Sequence, residues 1–313
     1  MRIGWRKLYS YLRRKPSEFY SVGIEVDANH LHVSVFKLVN DKPFWSSYQT
    51  FPFAGWQDAL KGYVTELGLA NTRCAVAFSS KKYKLLQVDR PSVPDDELAQ
   101  ALHWSVQELM SSQDEMVVDF FDLPAQTMGA NKVNVVAVNK SDLYSLCQDL
   151  IDIGLFVHSI TIEDLAICDL IEPSHDATLT LVQKPGAEIN LNIIKDAKLY
   201  FSRQIRGYEK LSSFTEMELQ MGLAETLSVE VQRSMDYFES QLRQGGVKKL
   251  YLHLDTEHQD LMADLINKAM LIETHPLIPD VEKNEALNFN TASFVSLGAG
   301  LLLDPEQEPR NEV

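Results

Sequence analysis

The sequence predicts a two-lobed α/β protein in which one β-β-β-α-β unit occurs twice around a cleft. Three observations predict it. Short apolar strands divided by polar turns open the chain and recur near residue 178. Each set of three is followed by a stretch of helical periodicity and then another strand. At 313 residues and 45% hydrophobic content, the chain suits two packed domains of ordinary size rather than one small core.

The first unit begins with the apolar strand Val22–Val26 and a turn over Asp27–His30. Leu31, Val33 and Val35 then alternate with His32, Ser34 and Phe36, and a third strand runs near Phe44–Phe51. Trp56, Leu60, Tyr63, Val64 and Leu67 are spaced as a helix, and Cys74–Phe78 is the next strand. Residues 80–157 read as an inserted α+β unit. In it Asp95-Asp-Glu97 puts negative charge at the start of a helix carrying Leu98, Leu102, Val106 and Leu109, as the helix dipole favours. Strands at Met116–Phe121 and Val133–Val138 follow, then a helix for which Ser141 is the expected cap. A strand at Val157–Ile162 and a short helix from Glu163 lead to a crossing at Pro173–His175.

The second unit repeats the order. Its strands are Thr178–Gln183, Glu188–Ile194 and Ala197–Ser202. A long helix with Leu227, Val231, Met235, Phe238 and Leu242 on one face is expected to end at Gly245-Gly246. A strand at Val247–Leu254 and a helix at Gln259–Met270 complete it. An architectural repeat of this length, without sequence identity, fits two α/β lobes.

The formal charge of −15 argues against nucleic acid, which demands a basic surface. The charge is uneven. Residues 1–20 hold six cations against Glu18, a local +5, which leaves −20 on the rest. A helix over 2–14 places Trp5, Leu8, Tyr9 and Leu12 on one arc and Arg2, Arg6, Lys7, Arg13 and Arg14 on the other, until Pro16 stops it. That pattern fits interfacial binding to an anionic membrane surface, or packing against this acidic protein; liposome flotation with and without residues 1–17 separates the two. No apolar run approaches the ~20 residues that span a bilayer, and no apolar stretch follows the basic start as in a secretory signal. Cys74, Cys147 and Cys168 form no CxxC pair and read as buried free thiols.

Two segments carry a resemblance. Leu199-Tyr-Phe-Ser-Arg-Gln-Ile205 precedes Ser228-Val-Glu-Val-Gln-Arg-Ser-Met-Asp-Tyr-Phe238. Val22–Leu38 opens the chain, and Phe294–Leu302, with Gly298 and Gly300, closes it. Over residues 18–303 the chain resembles the PilM-like family of type IV pilus assembly proteins. It is most similar to the MshI branch of mannose-sensitive haemagglutinin (MSHA) pilus systems, and related lobes occur in FtsA and in GspL of type II secretion. The resemblance implies a duplicated actin/Hsp70-like ATPase fold. It also implies the domain order 18–79 (first lobe), 80–157 (insert), 158–174 (first lobe continued), 175–290 (second lobe), 291–303 (closing helix) and 304–313 (acidic tail).

The departures bear on chemistry. ATP-binding members carry Asp-Ile-Gly-Ser-Ser in the first hairpin turn, where this chain has Glu25, Val26, Asp27, Ala28 and Asn29. A glycine that lets backbone N–H groups approach a phosphate has become Asp27, which adds a repelling charge. The second turn, usually Asp-Ile-Gly-Ala, is Lys184-Pro-Gly186-Ala187, so a lysine replaces the acid that organises magnesium water. The expected adenine-side Gly-Gly is Asp255-Thr-Glu257. The nucleotide positions Glu25, Asp27, Asn29, Lys184, Gly186 and Ala187 are therefore degenerate, with no cofactor expected and ATP with magnesium disfavoured.

Glu25 and Asp27 read as a polar hairpin turn rather than an acid/base pair, and Lys184 as a solvated turn lysine rather than a substitute for magnesium. His30 and His32 share a strand face, with no third metal ligand placed beside them. Arg203 and Arg233 are surface or partner residues. No Gly-x-Ser-x-Gly, P-loop or Cys-His arrangement signals catalysis. The function implied by the resemblance is a non-catalytic cytoplasmic scaffold at the inner membrane of a Gram-negative bacterium. Its partners would be the cytoplasmic N-terminal tail of a PilN-like bitopic protein and the pilus secretion ATPase. The alternatives are an ATP-binding or ATP-hydrolysing actin-like protein, or a GspL-like secretion scaffold.

Overall fold

The computed structural model describes residues 17–110 and 115–302; the side chains of Asp95, Leu109 and Met110 are not described. The expected basic helix over 2–14 and the tail after 304 lie outside these residues.

The repeat is present in the sheets. In the first lobe, β1 (Ser21–Val26), β2 (His30–Val39) and β3 (Lys42–Pro52) form the meander. Helix α1 (Trp56–Leu67) leads to β4 (Arg73–Phe78), and β8 (Phe156–Ile162) adds beyond it in parallel, giving the order β3-β2-β1-β4-β8. The second lobe matches it. Strands β9 (Ala177–Gln183), β10 (Ile189–Lys195), β11 (Lys198–Ile205), β12 (Val247–His253) and β13 (Glu273–Pro276) order as β11-β10-β9-β12-β13. In both lobes the central strand pairs antiparallel with the second and parallel with the fourth. Strands β1 and β9 are buried at every position, the polar Glu25 and Gln183 included, as in a sheet covered on both faces. A two-residue strand, β14 (Glu282–Lys283), extends the first sheet beyond β3, a short pairing with no pattern to announce it.

Helices close the faces through the residues their periodicity marks. Trp56, Leu60 and Val64 bury one side of α1, which ends on Gly68 in the left-handed conformation. The insert holds β5 (Tyr83–Asp89), α2 (Asp95–Met110), β6 (Met116–Asp122) and β7 (Lys132–Asn139). Its antiparallel sheet, ordered β5-β7-β6, covers Leu98, Leu102 and Val106 of α2. Helix α3 (Lys140–Ile153), within the expected insert, packs Leu146 and Leu150 into the first-lobe core instead. Its cap is Asn139 rather than Ser141: the Asn139 side-chain oxygen accepts the amides of Ser141 and Asp142.

In the second lobe α5 (Ala224–Ser240) stops five residues before Gly245, and Arg243 takes the left-handed turn expected of a glycine. Leu242 lies past the helix and is still buried. Helix α6 (Gln259–Met270) covers the sheet beside it with Met262, Ala263 and Ile266. Two further helices join the lobes: α4 (Glu163–Cys168), directly after β8, and α7 (Phe294–Leu301), which lies across β1. Together they build a core shared by both lobes, in which Ala166, Ile167, Leu297 and Ala299 meet Val182 and Leu277. Cys74 and Cys168 are buried as expected, whereas Cys147 is half-buried.

Candidate functional site

The carboxyl ends of β1, β4, β8 and β9 converge on the cleft, the place where ligands bind in open α/β sheets. An ion cluster belonging to the chain itself lines it. Lys184, the residue after β9, donates from Nζ to Glu25 Oε1 at 2.5 Å and to Glu163 Oε2 at 2.8 Å. The Glu25 side chain is fully buried on β1, the Glu163 side chain is 4% exposed at the start of α4, and the Lys184 side chain is 22% exposed. Further donors reach both carboxylates. Ser293 Oγ donates to Glu25 Oε2 at 2.5 Å, and the Ser80 amide donates to Glu163 Oε2 at 2.9 Å. Burial alone would raise the Glu163 carboxyl; the Lys184 charge and these hydrogen bonds hold it below its ordinary value. Lys184 is held upward by its two carboxylates against the effect of burial.

The reading of Lys184 as a solvated turn residue is therefore overturned, and so is that of Glu25 as part of a polar turn. Glu25 lies inside a strand, and a buried carboxylate there requires a buried cation. Glu163 was missed. A signal was available, because an acidic pair directly after an apolar strand marks a strand-to-helix switch at the sheet's carboxyl end.

A second polar cluster extends the first. Asp164, next to Glu163, accepts from Tyr83 Oη of the insert, from Asn190 Nδ2 at 3.1 Å and from Ser202 Oγ at 2.5 Å. Burial raises its carboxyl despite these bonds. Three modules thus meet on one pair of acids.

Both hairpin turns are internally satisfied. In the first, Asp27 Oδ1 accepts the amides of Asn29 at 2.6 Å and His30 at 2.7 Å. Burial pushes the Asp27 carboxyl up, but His32 and these two amides bring it well below the carboxylate range. In the second, Gly186 has φ 69°, and its amide donates to Asp255 Oδ2 at 3.0 Å. The Ala187 amide closes the turn on Lys184 O. Of the six positions named from the sequence, Glu25, Asp27 and Lys184 line one cavity, and Glu25 and Lys184 are the pair that joins the two turns. Trp5, Arg6, Leu8, Tyr9, Leu12 and Arg13 lie outside the described residues. Arg203 is accounted for internally: it donates to Ser234 Oγ and to Glu230, tying β11 to α5, while Arg233 pairs with the same Glu230.

No protein-family model matches the chain, and no curated protein matches it in sequence. Solved structures do match. A chain of the PilM–PilN type IV pilus biogenesis complex aligns with TM-score 0.66 at 17% identity, covering 92% of this chain and 99% of that one. A Bacteroides thetaiotaomicron VPI-5482 protein described as having an actin-like ATPase fold and unknown function aligns with TM-score 0.51 at 11% identity, over 97% and 99% of the two chains. This chain has the actin-like ATPase fold. The cytoplasmic domain of EpsL, an inner-membrane component of the Vibrio cholerae type II secretion system, covers 90% of this chain and 97% of its own at 12% identity and TM-score 0.49.

On the actin-like fold a second concavity shares no lining residue with the cavity beside Glu25 and Lys184. Strand β8 is the outer edge of the first-lobe sheet and β6 the outer edge of the insert sheet. Between them is a mainly apolar groove of about 280 Å³, lined by Val117, Phe121, Val136, Leu143, Ile160 and Leu165 among others. Ile160 is 45% exposed at its mouth. Among the described residues, no helix is long and apolar enough to cross a membrane.

Proposed function

We propose that this chain is a non-catalytic cytoplasmic scaffold of a type IV, MSHA-type pilus assembly complex at the inner membrane. In this reading it holds the cytoplasmic tail of a PilN-like bitopic protein in the groove between β8 and β6. The observation that carries it is that groove. An apolar trough flanked by two sheet edges offers backbone hydrogen bonds to an added strand and pockets for alternate side chains. A preformed trough and a short tail leave few residues to order on binding. The two hairpin turns support the non-catalytic part, because the amides of Asn29, His30 and Gly186 are donated to Asp27 and Asp255 rather than aimed at a phosphate. The fold shared with a chain of the PilM–PilN complex supports the choice of system.

Calorimetry with a synthetic peptide of the partner's cytoplasmic tail tests this. Ile160→Glu and Val117→Glu place charge on the groove walls at positions already partly exposed, so the fold is retained. Each is expected to weaken the peptide by at least about tenfold, or ~1.4 kcal/mol. Unchanged affinity in both variants removes the groove from the account, and no binding by the unaltered chain removes the partner.

A further inference from the structure

We propose that Asp27, His30 and His32 form a binding site for one divalent transition-metal ion, Zn2+ being the representative case. The inference is independent of the scaffold reading. His30 and His32 project from the same face of β2 because strand side chains alternate with a period of two. The β1–β2 turn then folds Asp27 back over them. One donor atom from each residue, taken together, lies within 4.8 Å of the other two. This supplies the third ligand that the spacing of the two histidines alone did not.

The geometry goes beyond a hydrogen-bonded pair. His32 Nε2 is 3.1 Å from Asp27 Oδ2, which a hydrogen bond explains. His30 Nδ1 is 3.9 Å from the same oxygen, too far for a hydrogen bond. A tetrahedral ion with ligand bonds of about 2.0–2.1 Å separates its donors by roughly 3.3 Å, so small rotations of the half-exposed His30 ring complete the set. Two ligands are already oriented from behind. The amides on Asp27 Oδ1 turn Oδ2 toward the imidazoles. Tyr48 Oη at 2.9 Å and Thr50 Oγ1 at 3.2 Å hold His32 Nδ1, aiming Nε2 inward.

Two imidazoles and one carboxylate select a first-row transition ion over Mg2+ or Ca2+, which prefer oxygen. All three ligands come from one hairpin and line a cleft cavity of about 290 Å³, so open coordination positions face that space for water or a small anion.

Titration of the full chain with Zn2+ by calorimetry tests the site, with melting temperature as a second readout. The unaltered chain is expected to take up one equivalent and to melt higher with Zn2+ than without. His30→Ala combined with His32→Ala should weaken uptake at least about 100-fold and abolish the thermal gain. Asp27→Asn retains an oxygen for the Asn29 and His30 amides while removing the charged ligand. It should weaken binding at least about tenfold. Equal uptake by the unaltered chain and Asp27→Asn overturns the assignment, as does saturable binding that survives loss of both histidines. Absence of saturable uptake by the unaltered chain overturns it outright. Should the double-histidine variant fail to fold, Asp27→Asn decides alone.

Discussion

Lys184→Met is expected to lower stability by about 3–5 kcal/mol, because it leaves the carboxylates of Glu25 and Glu163 buried with no cation between them. For a chain of this size that is a fall in melting temperature on the order of 10 °C. The effect arises from the missing partner more than from a strong bond. Desolvation of the ions offsets much of the attraction within an intact triad, so the triple variant Glu25→Gln, Glu163→Gln, Lys184→Met should recover most of the loss. The pH dependence follows from Glu163, whose folded pKa lies below its unfolded value near 4.5. Its contribution is present above about pH 4.5 and is lost as pH falls through the depressed folded value. Lys184 is raised, so its contribution persists at neutral pH and is lost only on strong alkalinisation. A single Lys184→Met variant that melts like the unaltered chain would contradict the clasp.

Gly298→Ala is expected to destabilise by about 3 kcal/mol or more, against the usual sign. In an open helical position, replacing glycine with alanine stabilises by about 0.5–1 kcal/mol. Gly62 in α1 is such a position, with nothing within 4 Å of an added Cβ. A Cβ on Gly298 would lie 1.9 Å from the Ala166 carbonyl oxygen, and one on Gly23 would lie 2.0 Å from that of Ser296. Backbone atoms cannot swing aside as side chains do, so α7 would have to lift off β1 and α4 and open the core between the lobes. Thermal melts of Gly298→Ala and Gly62→Ala should move in opposite directions. A neutral or stabilising Gly298→Ala would mean that α7 does not seat this closely.

The fold was legible because both meanders and the five main helices carry an apolar period of their own, whereas the closing helix, buried nearly all round, was placed by the resemblance. Boundaries were less legible. Helix α5 ends at Ser240 because Arg243 supplies the left-handed turn, a conformation in which glycine is the usual residue. Helix α3 belongs to the first-lobe core although it continues directly from the insert's last strand. The candidate site was legible only in part. Lys184 and Asp27 stood out against the resemblance as altered turns. Glu163, the partner of Lys184, and Asp255, the partner of the Gly186 amide, lie 21 and 69 residues away, and no local pattern joins them to the second turn. Asp27 and the two histidines were read apart because one lies in a turn and two on a strand. Only the fold of the hairpin brings them together.

The most direct test of the central claim is calorimetry of the unaltered chain with Mg-ATP. Asp27 brings a charge toward any phosphate at the first turn. At an effective dielectric near 20, a unit charge ~4 Å away opposes binding by about 4 kcal/mol, roughly three orders of magnitude in affinity. The amides of Asn29, His30 and Gly186 already donate to Asp27 and Asp255, and Lys184 is committed to Glu25 and Glu163. The account predicts no saturable heat at concentrations up to about a millimolar, and a gain of affinity in Asp27→Gly, which removes the opposing charge and leaves the Lys184 clasp intact. A micromolar dissociation constant for Mg-ATP in the unaltered chain would contradict it and make the cleft a working nucleotide site.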